Sequence, residues 1–210
     1  MKVNYQKIME NTIAKNVSNG IRPKLLLHCC CAPCSSAVLE RLNEFFDITL
    51  YFYNPNIYPE SEYTFRLDEL KRLIGEMPLQ QMTVVEPGYD NDEFERIVKG
   101  MEDIPEGGAR CMACYRLRLD KSVSYASENG FDYVTTTLSV SPHKNATWLN
   151  EIGEELGRKH GIEYLVSDFK KQEGYKRSCT LSAEYNLYRQ NYCGCVYSKK
   201  QAEQREKSIV

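Results

Sequence analysis

The chain has 210 residues, 42% of them hydrophobic and 27% charged, with a formal net charge of −2 and no low-complexity segment. That length supports one sizeable buried core, and the near-neutral total argues against a dedicated nucleic-acid binder. No stretch approaches the roughly 18 apolar residues of a membrane-spanning helix, and the N-terminal MKVNYQKIMENTIAKN lacks the apolar run of a secretory signal.

A polar, weakly amphipathic helix is expected over about 3–16, followed by a strand at 24–28 built on Leu25-Leu26-Leu27. His28-Cys29-Cys30-Cys31-Ala32-Pro33-Cys34 follows directly, and Ser35 or Ser36 is placed to cap the helix that carries Val38, Leu39, Leu42, Phe45 and Phe46. Next come a strand Ile48–Tyr53, a helix at about 60–76, a strand Met82–Glu86 and a helix near 91–101. The loop 104–109, with Gly107-Gly108, leads to Cys111 and a helix over about 112–129. A strand Phe131–Thr137, a helix around 145–160 and a strand Glu163–Ser167 complete the alternation. Strands separated by helices predict βαβ units. The expected fold is α/β: a doubly wound, mostly parallel sheet of Rossmann-like or ATP-pyrophosphatase-like kind with a C-terminal helical extension. With no repeat and no linker, residues 1–210 read as one domain.

The nine cysteines lie at 29, 30, 31, 34, 111, 114, 179, 193 and 195, mostly in three tight groups. A secreted disulfide framework would be shorter and more evenly spaced, so the pattern points to a reducing cytoplasm and to metal or redox chemistry. In an open α/β sheet the loop leaving the carboxyl end of a strand is where ligands bind, and the first thiol group sits in such a loop. Thiols are soft ligands that select zinc, copper(I) or an iron–sulfur cluster. By spacing, Cys31/Cys34 and Cys111/Cys114 form two Cys-X2-Cys knuckles that can converge if both occupy loops at one end of the sheet. Thiolates at Cys111 and Cys114 would gain from a helix N-terminus.

Cys193-Gly194-Cys195 suits either a small strained disulfide ring, and hence a redox couple, or further metal ligation. Cys179 reads as a buried small residue. Cys29 is ambiguous, because successive residues of an extended chain face opposite sides. His28, beside the thiols, suits a hydrogen-bonding role at least as well as ligation, whereas His143 and His160 read as surface or helix-cap residues. The Thr135-Thr136-Thr137-Leu138 and Ser141-Pro142-His143-Lys144-Asn145 segments either offer hydrogen bonds to a polar ligand or cap the next helix. No GxxxxGK[ST] or GxGxxG motif is present.

Charge is uneven. Residues 168–210 hold nine Lys/Arg against five acids, +4, leaving −6 for the rest, and this basic extension is interleaved with Phe169, Tyr175, Tyr185, Tyr188, Tyr192 and Tyr197. Such a segment either neutralises phosphates and stacks on unpaired bases or is a solvated tail.

The segments Leu27–Ser35, Arg110–Leu119, Thr135–Leu138, Ser141–Asn145, Asp168–Lys171 and Tyr188–Cys195 resemble the cobalamin-independent epoxyqueuosine reductases, QueH, over about residues 24–198. The resemblance implies reductive removal of the epoxide oxygen from epoxyqueuosine at the tRNA anticodon wobble position, the last step of queuosine synthesis. It implies a [4Fe–4S] cluster on Cys30, Cys31, Cys111 and Cys114, a redox-active disulfide between Cys193 and Cys195, and Cys34 as a candidate ligand of an adjacent single iron. Cys29 and Cys179 match variable positions of the family. The partners implied are tRNA carrying epoxyqueuosine and an external electron donor; Tyr115, His28 or a cysteine thiol could supply protons, and no oligomeric state is indicated. Two competing functions are a tRNA sulfur-transfer enzyme, which would need a phosphate loop where HCCCAPCSS stands, and a zinc-stabilised RNA-binding module without catalysis.

Overall fold

The computed structural model describes residues 3–207. In chain order the elements are α1 (Tyr5–Ser18), β1 (Lys24–His28), α2 (Ala32–Leu42), β2 (Asp47–Tyr51), α3 (Glu60–Glu76), β3 (Thr83–Val85), α4 (Asn91–Val98), α5 (Ala109–Glu128), β4 (Tyr133–Thr136), a 3₁₀ turn (Thr137–Val140), α6 (Ala146–His160), β5 (Glu163–Tyr164), α7 (Gly174–Glu184) and α8 (Val196–Lys207). The strands form one parallel sheet in the order β3-β2-β1-β4-β5. The chain steps outward from β1 to β3 and then returns to lay β4 against the other side of β1. Connections therefore leave β1 and β4 in opposite directions, and a crevice opens beyond their carboxyl ends.

Leu25, Leu26 and Leu27 are all buried because both faces of the sheet are covered. Leu25 and Leu27 point to the side where Met9, Val38, Leu39, Leu42, Leu67 and Leu70 pack. Leu26 points to the other side, against Leu119, Val123, Leu149, Ile152 and Leu156 of α5 and α6. The two-residue alternation of the strand thus distributes one apolar run between two cores.

Several boundaries differ from those expected, each for a local reason. α2 begins at Ala32, with Pro33 in its first turn and Cys31 at the cap position, since the fixed φ of proline suits a helix start. Ser35 and Ser36 are consequently not caps: both are buried and donate to the Cys31 carbonyl at 2.8 Å and the Pro33 carbonyl at 3.0 Å. α5 starts at Ala109, which draws both Cys111 and Cys114 inside the helix. β5 is only two residues long, because beyond it Asn150 replaces a neighbouring strand. Its side chain accepts from Ser167 N–H at 2.8 Å and donates to the Ser167 carbonyl at 2.8 Å. β4 stops at Thr136, whose hydroxyl accepts from Leu138 N–H at 3.2 Å and opens the 3₁₀ turn. Helices α7 and α8 form the expected C-terminal extension.

No helix of the described residues is long and apolar enough to cross a membrane.

Candidate active site and metal centre

The first thiol group lies in the crevice, where β1 gives way to α2. Cys29 still obeys the strand: its N–H donates to the Tyr51 carbonyl at 2.9 Å, and its side chain turns into the core. Burial pushes its thiol up, so Cys29 is a packing residue. Cys30 and Cys31 lie past the last strand pair, and there the chain bends towards the helix. The sulfurs of Cys30, Cys31 and Cys34 all lie within 4.8 Å of one another, with Cys30 and Cys31 3.7 Å apart. Hydrogen bonds from Cys30 and Cys34 hold the Cys31 thiol well below its ordinary range, aided by Gln190 and the Arg66 guanidinium. The same crowding raises Cys30 and Cys34. The crowding thus favours the thiolate at Cys31 over its two neighbours, and thiolate is the form in which sulfur binds metal.

The second thiol group comes from α5 and the C-terminal loop. Gly107 N–H donates to Cys111 Sγ at 3.3 Å. The buried Arg110 gathers the carbonyls of Met101, Glu102 and Ile104 and stacks on Tyr197 at 4.8 Å, fixing the start of α5. Burial raises Cys111, and pushes Cys114 up to about 12. Cys193 and Cys195 flank Gly194, which has φ +131°. Arg66 donates to the Cys193 carbonyl at 3.0 Å and Tyr58 N–H to the Gly194 carbonyl at 3.0 Å, pinning this loop to the rest of the site. All nine cysteines are free thiols.

Two cavities meet here. The larger, about 230 Å³, is lined by Cys30, Cys31, Cys34, Lys144, Arg189 and Cys193, among others. The smaller, about 10 Å³, lies among Arg110, Cys111, Cys114, Tyr115, Cys193 and Cys195. Cys193 and Glu106 border both. The set of three close sulfurs does not include Cys111 or Cys114, but the two groups share a neighbour. Arg118, 1% exposed, lies one helical turn beyond Cys114. Burial opposes its charge, and the thiols of Cys114, Cys30 and Cys193 more than offset that.

His28 is fully buried, with Nδ1 2.8 Å from Thr136 Oγ1 and Nε2 3.1 Å from the Tyr53 carbonyl. The carbonyl can only accept, so Nε2 carries the hydrogen and Nδ1 accepts from the threonine. Burial and Arg118 lower its pKa to about 3; it is a neutral strut, with no proton free for chemistry. Tyr115 is buried and its hydroxyl is pushed up in consequence. His143 is exposed and His160 ends α6, 3.2 Å from Asp120. Cys179 is half-buried rather than buried, on α7.

The Ser141–Asn145 segment caps the next helix, one of the two alternatives expected of it. Asn145 caps α6, accepting from Trp148 N–H at 3.2 Å, while Lys144 turns inward. Its Nζ lies 2.8 Å from Cys193 Sγ and 3.5 Å from Glu106 Oε1, with the side chain 8% exposed. Burial works against the Lys144 charge, but Cys193, Tyr115 and Glu106 outweigh it and hold the ammonium well above its usual range.

The basic extension divides in two. Lys170 pairs with Asp168, Lys176 with Glu173 and Arg177 with Glu40, so these charges brace the surface. Tyr175, Arg189, Tyr192 and Arg205 instead border the larger cavity, with the Arg189 guanidinium 5.8 Å from the Tyr175 ring centre.

A model of the family described as epoxyqueuosine reductase QueH matches residues 25–201. A protein of that name from Streptococcus pyogenes serotype M1 is 43% identical over 202 residues, covering 95% of this chain and 79% of its own. One from Staphylococcus epidermidis is 41% identical over 202 residues, 94% of this chain and 85% of its own. One from Thermotoga maritima is 35% identical over 186 residues, 87% and 93% respectively.

Proposed function

The chain belongs to the epoxyqueuosine reductase QueH family, and from that membership we propose how its own residues carry out the activity. It is an epoxyqueuosine reductase, acting on epoxyqueuosine in tRNA. Two electrons and two protons convert the epoxide to an alkene and release the oxygen as water.

Cys30, Cys31, Cys111 and Cys114 would hold a [4Fe–4S] cluster, with Cys34 available to an adjacent single iron. The donors are soft sulfur ligands: Cys30 and Cys31 have sulfurs 3.7 Å apart, with Cys34 in the same group. Cys111 and Cys114 line the adjoining cavity that shares Cys193, and the buried Arg118 guanidinium, whose Nε has no hydrogen-bond partner, suits an anion. When bound, the iron–sulfur group supplies low-potential electrons one at a time. Cys193 and Cys195 act as a dithiol that oxidises to a disulfide, releasing two electrons and two protons. An external donor restores them, since neither nucleotide-cofactor glycine motif is present.

The protein's remaining work is placement. The cavity of about 230 Å³ receives the modified nucleoside, with Tyr175 and Arg189 at its rim to stack on a base and neutralise a phosphate. Lys144 Nζ keeps its charge inside the cavity beside Cys193 Sγ, so an ammonium able to hydrogen-bond the epoxide oxygen and a thiol able to supply a proton stand on the same wall. His28 orients the end of β1 from behind. The α2 start carries Cys31, Pro33 and Cys34 where a sulfur-transfer enzyme would carry its phosphate loop, which weighs against that alternative.

The observation that carries this reading is the gathering of the Cys30, Cys31 and Cys34 sulfurs within 4.8 Å of one another just beyond the carboxyl end of β1. Anaerobically purified protein should be brown and contain about four iron atoms per chain. With dithionite and tRNA bearing epoxyqueuosine, it should yield queuosine by nucleoside mass spectrometry. A Cys193→Ser/Cys195→Ser double variant should keep its iron and lose turnover. Colourless zinc-loaded protein with full activity would remove the cluster from the reading.

A further inference from the structure

Arg118 is a charge in the interior without an acid. Its side chain is 1% exposed. One guanidinium nitrogen donates to Asn54 Oδ1 at 2.5 Å, a neutral acceptor, and Nε has no partner. Among the described residues it forms no ion pair to a carboxylate. Arginine does not shed its proton inside a protein, and an uncompensated buried cation is strongly unfavourable. It borders the same cavity as Cys30, Cys31, Cys34 and Cys193 and lies one turn from Cys114 on α5, so it touches both halves of the site.

We propose that Arg118 is the internal counter-charge of the thiolate-held metal centre, a positioning residue that favours the centre's reduced state and raises its reduction potential. The inference rests on the iron–sulfur reading above. Ligation through Cys30 and Cys114 brings negative charge to a thiol on the cavity that Arg118 borders and to one a single turn away on its own helix. Each electron taken up adds one more unit of negative charge, and the attraction of a fixed cation for it is little screened in a buried site. Net charge and hydrogen bonding around the sulfurs are the general levers on such potentials. Metal ligation fixes Cys30 and Cys114 as thiolates, which the metal-free protein does not, so Arg118 should contribute less to stability there than in the loaded protein. A residue that merely filled space would contribute alike in both.

The test compares the full chain with Arg118→Gln and Arg118→Lys, each loaded anaerobically with ferrous iron and sulfide. Iron and sulfide content, the midpoint potential in a dye-mediated dithionite titration, and the urea midpoints of the loaded and metal-free forms are measured. Arg118→Gln should retain iron and titrate at a more negative potential, with Arg118→Lys close to the unaltered protein. Arg118→Gln should lower the urea midpoint of the metal-free form less than that of the loaded form. If Gln alone loses iron while Lys retains it, the charge is needed to hold the centre at all, which supports the same assignment. Equal potentials in all three proteins would overturn it. So would loss of iron in both variants with earlier unfolding of both metal-free forms, since the guanidinium would then be a packing element. Failure of the unaltered chain to take up iron and sulfide would instead remove the metal reading, and this inference with it.

Discussion

The Lys144 ammonium donates to Cys193 Sγ at 2.8 Å, in a pocket that leaves the lysine side chain 8% exposed. It ties the loop before α6 to the loop before α8, two segments 49 residues apart. A charge-assisted hydrogen bond to sulfur is available only while Cys193 is a thiol or thiolate. The contact therefore favours the reduced form of the Cys193/Cys195 pair over its disulfide. Hydrogen bonds to charged groups contribute about 1.5–3 kcal/mol, roughly a ten- to hundredfold change in an equilibrium constant. Lys144→Met should move the dithiol–disulfide equilibrium towards disulfide by about that factor. The disulfide fraction, read by mass spectrometry after alkylation across glutathione buffers, measures the shift; coincident curves would show that the two residues are not coupled.

Gly194 has φ +131°, and a Cβ there would lie 3.1 Å from both Arg66 Nη1 and Ile57 Cγ1. Arg66 cannot swing away freely, because it also holds Glu62 at 2.7 Å and the Cys193 carbonyl at 3.0 Å. Gly194→Ala should destabilise the chain by about 1–3 kcal/mol through backbone strain. Turnover should fall further than stability does, since the strain acts on Cys193 and Cys195. Urea unfolding and nucleoside turnover on the same preparation separate the two effects.

Cys29 and Cys31 are two residues apart and have opposite fates. Cys29 packs in the core and Cys31 lies in the sulfur group. Cys29→Ala should lose about 1 kcal/mol of stability, as an average core truncation does, and keep its iron. Cys31→Ala should lose most of its iron, since metal binding and the order of its site are coupled. Iron retained by Cys31→Ala would exclude that residue as a ligand.

This contrast marks how far the residues alone could be read. β1 and α3 fall where the hydrophobic periodicity puts them, because apolar runs and helical spacing are local signals. The α2 start moves to Ala32 because a proline sets it, while β5 ends early because a side chain from α6 takes over the pairing of its extension. The sulfur-bearing loop is legible from the placement of cysteines after a strand, and Cys29 from strand alternation once the end of β1 is known. Arg118 carries a weaker signal, its four-residue spacing from Cys114 on one helix. That alone cannot reveal the want of an acid, which depends on every element packed around it. Lys144 stands in a segment singled out for its hydroxyls and amides, and only the tertiary fold turns its ammonium onto Cys193.

Arg177 pairs with Glu40 at 2.5 Å, linking α7 to α2. The hydrogen bond from Arg177, opposed in part by burial, holds the Glu40 carboxyl below its ordinary value. A lowered folded-state pKa contributes stability that is present above the unfolded value, about 4.3 for glutamate, and is lost as pH falls through the folded value. Both side chains are exposed by more than two-fifths, so the contribution is at most about 1 kcal/mol after screening. Glu40→Gln should lower the urea midpoint slightly at pH 7 and converge on the unaltered protein towards pH 3. A gap that widened in acid would contradict the assigned direction.

The last prediction concerns the rim of the larger cavity, where the basic extension has two kinds of charge. Lys170, Lys176 and Arg177 are engaged by Asp168, Glu173 and Glu40, so their removal should change tRNA affinity little. Arg189 donates to Ser182 Oγ at 2.9 Å and lies 5.8 Å from the Tyr175 ring, a ring that remains 39% exposed beside the opening. A base stacked on an aromatic ring contributes about 1–3 kcal/mol, so Tyr175→Ala should weaken binding by roughly five- to a hundredfold with little change in salt dependence. Arg189→Ala should lower the slope of log affinity against log salt by about one unit, the loss of one phosphate contact. Anaerobic filter-binding titrations with tRNA bearing epoxyqueuosine, repeated across salt concentrations, distinguish the two. If Lys176→Ala weakened binding as much as either, the anticodon would instead lie across the outer face of α7, away from the thiols.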